Sequence, residues 1–144
     1  MCGIFGYIGT DLAYDKVYAG LKKLEYRGYD SCGIAVIEKS KFKTVKKVGG
    51  PENLKGKSRS KSTIAIGHTR WATHGVVNTK NAHPHISCDG SIALVHNGVV
   101  ENSDTFECER KSDTDSEVIA NLIATEYNVG NITLGKAVEL AVNK

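Results

Sequence analysis

The chain has 144 residues, 40% of them hydrophobic and 24% charged, with a formal net charge of +3. These proportions fit one soluble globular domain with a single core and leave little room for a second. No run approaches the roughly 18 apolar residues of a membrane helix, and the start lacks the basic and apolar blocks of a secretory signal, so a cytoplasmic protein with no membrane partner is expected.

Residues 1–9 read as a strand, with Ile4, Tyr7 and Ile8 set among glycines. Ala13, Val17, Leu21 and Leu24 then recur at helical spacing, with Asp11 as the expected cap and Gly28 as the stop. Residues 33–38 are β-rich, and the partial alternation of Phe42, Thr44, Lys46 and Val48 with Lys41, Lys43 and Lys47 predicts a hairpin whose outer strand is wet. Lysines on such an edge discourage pairing with other chains. A basic, turn-rich stretch follows, then a buried-strand candidate at 63–68 and a long polar run to His85 that carries Arg70, Trp71, Thr73, His74 and Gly75. Connectors of that length are usually functional or disordered, and the composition favours function.

Residues 91–96 form another strand candidate, closed by Asn97-Gly98, the strongest short turn signal in the chain. Thr114 to Glu117 has the form of a capping box, ahead of a helix faced by Val118, Ile119, Leu122, Ile123 and Tyr127 and ended by Gly130. Leu134, Ala137, Val138 and Ala141 suggest a third helix over 133–143. Most neighbouring strands are joined without an intervening helix, so the expected class is α+β with antiparallel pairing.

Nine of the 19 basic residues but a single acid, Glu52, fall in residues 39–61. With one aromatic, Phe42, among them, this stretch reads as a solvated strand edge and loop and not as a nucleic-acid footprint. Cys2, Cys32, Cys88 and Cys108 have no disulfide-like spacing, and neither they nor His68, His74, His83, His85 and His96 form a paired metal motif, so no metal site is expected.

Cys2 directly follows the initiator. Loss of Met1 would place an α-amine, with a reference pKa of about 7.7–8.0, on the same residue as a thiol, supplying nucleophile and base together. A cysteine at position two is by itself better explained as a small buried hydrophobe. The opening Cys2-Gly3-Ile4-Phe5-Gly6 is followed, in order, by Tyr26-Arg27-Gly28-Tyr29-Asp30-Ser31, Gly67-His68-Thr69-Arg70-Trp71-Ala72-Thr73-His74-Gly75, Asn81-Ala82-His83-Pro84-His85 and His96-Asn97-Gly98-Val99-Val100-Glu101-Asn102.

From residue 1 to about 127 this pattern resembles the glutaminase domain of the glutamine–fructose-6-phosphate aminotransferase family, among the class II glutamine amidotransferases. The resemblance implies the four-layer αββα sandwich of N-terminal nucleophile hydrolases, with antiparallel sheets and incomplete in this chain. It implies that Cys2 attacks the side-chain amide of L-glutamine and forms a γ-glutamyl thioester, that the Asn97 amide and Gly98 N–H receive the oxyanion, and that ammonia leaves. It assigns Arg70 to the substrate carboxylate, Asp115 to its ammonium, Thr73 and His74 to a closing loop, Trp71 to a gate and Arg27 to support of the nucleophile.

Residues 1–144 are then expected to be a partial glutaminase domain, cut on its C-terminal side and without phosphosugar isomerase domains. Fructose 6-phosphate would be reached only through those domains. No metal or organic cofactor is called for, and a second copy or a complementary chain is an expected partner. The stretch between Asn102 and Ser112 is shorter than the family usually has. The alternative is a non-catalytic fragment that binds glutamine or a partner.

Overall fold

The computed structural model describes residues 1–72 and 75–144. Strand β1 (Gly3–Ile8) leads through helix α1 (Ala13–Lys23) to the hairpin β2 (Ser31–Glu38) and β3 (Lys41–Val48), and then to β4 (Ile64–Arg70). These strands form one sheet in the order β1-β4-β2-β3, and every pair is antiparallel. The β2–β3 turn is tight because Lys39 and Ser40 both take positive φ, 49° and 60°, the backbone geometry of a two-residue hairpin loop. Strand β3 is an outer strand, as its lysines led one to expect.

Helix α1 crosses one face of this sheet. Val17 and Leu21 are fully buried with Ile34, Val36, Leu54 and Ala65, and the Tyr14 hydroxyl donates to the Leu54 carbonyl at 2.8 Å. Two glycines make the approach possible. Gly20 faces the Phe5 ring, and a Cβ on Gly67 would lie 2.5 Å from Val17 Cγ1.

The opposite face is covered only at one end. There a small second sheet, β5 (His85–Ile86) with β6 (Ala93–Leu94), lies under α2 (Ser116–Gly130) and α3 (Leu134–Val142). Ile92, Ala120, Ile123, Ala124, Ala137 and Ala141 form its separate core. Helix, larger sheet, smaller sheet and helix pair follow one another, which gives the α+β class and antiparallel sheets that the resemblance implies. At the far end of the larger sheet Ile8 and Ile64 are paired in register and remain exposed.

Local signals hold less well than the element order. Asp11 does not cap α1; Leu12 occupies the cap without a side-chain bond, while Asp11 pairs with Lys16 at 2.8 Å and accepts from the Tyr7 hydroxyl. Gly28 does not stop α1, which ends at Lys23; it follows a short 3-10 turn, Glu25–Arg27, in extended backbone. The Thr114 capping box does not form. Helix α2 starts one residue later, with Asp115 at its cap, and Glu117 instead accepts from Lys111 N–H (2.9 Å), Ser112 N–H (2.7 Å) and Ser112 Oγ (2.6 Å). Gly130 belongs to α2, and Asn131 provides the left-handed ending, φ 43°.

Candidate active site

Cys2 stands one residue before β1, and the pairing of Gly3 with Thr69 brings it beside the residues that follow β4. The pairing is pinned by the Gly3 N–H, which donates to Thr69 Oγ1 at 3.1 Å. The Trp71 N–H then points at Cys2 Sγ, 3.3 Å away, and the Trp71 carbonyl lies 3.8 Å from the same sulfur. Arg27 Nε donates to the Cys2 carbonyl at 3.2 Å, and the Asn97 side-chain amide reaches that oxygen at 3.5 Å. Half-buried Cys2 thus sits where the start of β1, the end of β4 and the segment after β6 converge.

Cys2, Trp71 and Asn97 line a cavity of about 250 Å³ together with Arg70, Gly98, Thr114, Asp115 and Ser116. Arg70 ends β4 opposite Ser31 and is buried; desolvation lowers its pKa, and the charges of Cys2, Asp30 and Asp115 oppose that shift. An arginine keeps its proton in such a place, so the wall carries a fixed cation. Its NH1 donates to the Val76 carbonyl at 3.5 Å. Asp115 is held by the Val100 N–H at 2.6 Å on Oδ2 and by the Ser116 hydroxyl at 3.3 Å on Oδ1. A cation and an anion therefore stand in one small cavity with a thiol, which suits a zwitterionic ligand.

Asn97 and Gly98 do not join a hairpin. They follow β6 as exposed chain, and Gly98 is not among the positive-φ glycines. Its lack of a side chain has a different cause: a Cβ there would lie 2.7 Å from Nε2 of His96. Trp71 is half-exposed and meets Tyr29 edge to face at 5.3 Å. Of the expected site residues, Cys2, Arg70, Trp71, Asn97, Gly98 and Asp115 are brought together. Arg27 reaches the site from behind, through the Cys2 backbone. Thr73 and His74 lie outside the described residues.

A row of histidines, considered in the sequence only as metal ligands, packs here; His68, His83 and His96 line the cavity and His85 lies behind them. His68 Nε2 bonds the His96 carbonyl at 3.0 Å, His83 Nδ1 accepts the His96 N–H at 3.3 Å, and the His68 and His83 rings stack at 4.3 Å. His85 bonds Thr114 Oγ1 at 2.8 Å and His96 Nδ1 bonds Ser116 Oγ at 3.0 Å. Burial pushes His68 down to about 4 and His85 to about 3, and holds His83 lower still, so these three are neutral packing groups near pH 7. Among the described residues no three His, Cys, Asp or Glu side chains are placed to hold a metal. The buried-strand candidate at 63–68 included His68; nothing in the sequence placed His83 and His96 against it.

No family model matches the chain. Curated proteins named glutamine–fructose-6-phosphate aminotransferase [isomerizing] do: that of Chlamydia caviae is 49% identical over 137 residues, covering 88% of this chain and 22% of the relative. Those of Pyrococcus horikoshii, 50% identical over 139 residues, and Streptomyces coelicolor, 47% over 140 residues, cover 90% and 89% of this chain and 23% of their own lengths. The chain thus spans less than a quarter of the relatives it matches. Among solved structures, glutamine phosphoribosylpyrophosphate amidotransferase from B. subtilis, complexed with ADP and GMP, superimposes with a TM-score of 0.77 at 28% identity, over 99% of this chain and 32% of its own. A structure described as the allosteric regulatory enzyme of purine biosynthesis gives 0.80 at 28% identity, over 99% and 33%. An α+β domain with an N-terminal cysteine at the meeting point of its strands, and with these neighbours, is an N-terminal nucleophile glutamine amidotransferase domain. Within that class the chain is similar, at 47–50% identity over about nine-tenths of its length, to the glutamine–fructose-6-phosphate aminotransferases and matches their N-terminal glutaminase portion.

Proposed function

We propose that this chain hydrolyses L-glutamine to glutamate and ammonia through a Cys2 thioester, once Met1 has been removed. The observation that carries the reading is the convergence of Cys2, Arg70, Asn97, Gly98 and Asp115 on one cavity. Exposed Met1 is open to an aminopeptidase, and its loss frees the Cys2 α-amine. That amine takes the thiol proton, and the sulfur adds to the amide carbon of glutamine. The oxyanion forms beside the Asn97 amide, which rests 3.5 Å from the Cys2 carbonyl, and the Gly98 N–H, and oxyanion donors of this kind commonly contribute about 3 kcal/mol of transition-state stabilisation. Collapse expels ammonia with a proton returned by the amine. Water then attacks the thioester, the C–S bond breaks, and glutamate leaves. Arg70 pairs with the substrate carboxylate and Asp115 with its ammonium, which orient the γ-amide toward the sulfur.

We further propose that residues 1–144 form part of a glutaminase domain and that the ammonia serves an aminosugar-forming reaction with fructose 6-phosphate, the second substrate in the relatives' name. Residues outside this chain's match would bind that acceptor. The four free thiols accord with a cytoplasmic setting. The test is glutamate release by protein whose mass confirms loss of Met1. Cys2→Ala is expected to abolish release, and Arg70→Ala to raise KM at least tenfold. Glutamine binding without release by the processed parent protein would replace this reading with that of a binding fragment.

A further inference from the structure

The four residues Arg27 to Asp30 touch both the nucleophile and the backbone beside it. Arg27 holds the Cys2 carbonyl at 3.2 Å. Gly28 lies so close to β4 that a Cβ would fall 2.7 to 2.9 Å from the Arg70 carbonyl group and the Trp71 nitrogen. Tyr29 packs edge-on against the Trp71 ring. Asp30 makes two bonds that together fix a pair of peptide groups. Its main-chain N–H donates to the Arg70 carbonyl at 3.0 Å, and its Oδ2 accepts the Ala72 N–H at 2.8 Å. Asp30 is itself tied down, since its carbonyl accepts the Gly49 N–H at 2.9 Å.

The geometry of a trans peptide gives these bonds a consequence at the sulfur. The Arg70 carbonyl and the Trp71 N–H belong to one peptide unit and point in opposite directions. Holding the carbonyl from the Asp30 side aims the N–H at Cys2 Sγ, where it is found at 3.3 Å, and polarises it as a donor. The next unit is held by its N–H through the Asp30 carboxylate, which leaves the Trp71 carbonyl 3.8 Å from the same sulfur. One peptide N–H can thus donate to a thiolate, and the next carbonyl can accept from a thiol.

We propose that the Trp71 backbone N–H is a catalytic donor to the Cys2 thiolate and that Asp30 is the positioning residue that aims it, an inference that rests on the glutaminase reading above. The donor acts twice. It holds the thiolate formed when the S–H proton passes to the α-amine, and it receives the sulfur again when water has added to the thioester carbon and the C–S bond breaks. A charge-assisted N–H bond to an ionised sulfur is the strong form of such an interaction and favours the reactive thiolate. Among the described residues, Arg70 and Asp115 are the charged groups that line the cavity, Arg27 and Asp30 reach the Cys2 and Ala72 backbone beside it, and His68, His83, His96 and the α-amine are the other titratable ones.

The test compares Asp30→Ala with Asp30→Asn: both keep the main-chain bond to the Arg70 carbonyl and remove the charge, while only the asparagine keeps an oxygen for the Ala72 N–H, the second of the two holds that fix the peptides on either side of Trp71. Cys2 alkylation by iodoacetamide, read by peptide mass across pH, is expected to shift its midpoint up by about one unit in Asp30→Ala, with roughly tenfold slower reaction at pH 7. Asp30→Asn is expected to stay near the parent, and kcat of Asp30→Ala to fall with KM changed equally in both variants. A midpoint in folded Asp30→Ala equal to the parent's overturns the proposal. Should Asp30→Ala not fold, the unaltered protein decides: the Trp71 amide proton, followed by 15N-resolved NMR, is expected to move downfield with the midpoint of alkylation, and an amide that ignores the thiol titration overturns the proposal equally. Neither readout requires turnover, so failure of the glutaminase reading would leave these results standing on their own.

Discussion

At the scale of single residues, the site depends on what side chains leave out as much as on what they provide. Gly98 lies against the His96 ring, so Gly98→Ala is expected to displace the proposed oxyanion donor from the cavity wall while leaving the core untouched. A loss of about 10²–10³ in kcat with an unchanged unfolding midpoint is expected, by analogy with loss of one oxyanion donor. Glutamate-release kinetics beside thermal unfolding check this, and an active Gly98→Ala would remove Gly98 from the oxyanion role. Gly28 is a glycine for the same kind of reason and not for a turn, because its backbone is extended and the neighbouring Arg70–Trp71 peptide occupies the space. The sequence singled out both glycines, Gly28 as a helix stop and Gly98 as part of a turn signal and, by the resemblance, an oxyanion donor. For Gly28, only the backbone that the fold brings close reveals why a side chain would clash.

At the scale of elements, α2 carries a site residue at its start and a structural anchor one step inside it. Asp115 occupies the cap and faces the cavity, while buried Glu117 satisfies two main-chain N–H groups and a hydroxyl from residues 111 and 112. Removing such an acceptor leaves buried donors unpaired, so Glu117→Ala is expected to cost about 1–3 kcal/mol or more in stability. Chemical denaturation measures this, and a midpoint equal to the parent's refutes the anchor role. The capping-box pattern was legible in the sequence. Its bonds were not, because the segment before α2 folds back over the helix and takes the Glu117 carboxylate that a simple box would have spent on its own cap.

For the whole molecule, the buried histidines couple stability to pH. His68 and His85 have folded-state pKa values of about 4 and 3, against 6.5 for an exposed histidine, and His83 is shifted in the same direction. The unfolded chain therefore binds more protons between pH 6.5 and about 4. Stability is fully present above pH 6.5 and falls as the pH drops through that window, by roughly 3 kcal/mol for His68 alone. Unfolding free energies measured from pH 7.5 to 4.5 are expected to decline, and His68→Gln is expected to flatten the slope. A slope unchanged in a folded His68→Gln protein would show that this ring does not carry the effect.

The sequence by itself determined the class of fold, the order of its elements apart from β5, and the chemistry on offer. Helical and strand periods come from local burial, and the Cys2, Arg70, Asn97-Gly98 and Asp115 motifs name a nucleophile, a cation, a donor pair and an anion. Their convergence was implied by resemblance and realised only in three dimensions, through the Gly3–Thr69 register that sets Cys2 beside Trp71. The stacking of His68 on His83, the clamp of Asp30 on Ala72 and the exposed pairing of Ile8 with Ile64 were decided by tertiary structure alone. The physical reason is separation along the chain. Neighbouring residues impose a period, whereas a contact between distant segments exists only after sheet register and layer packing have placed both partners.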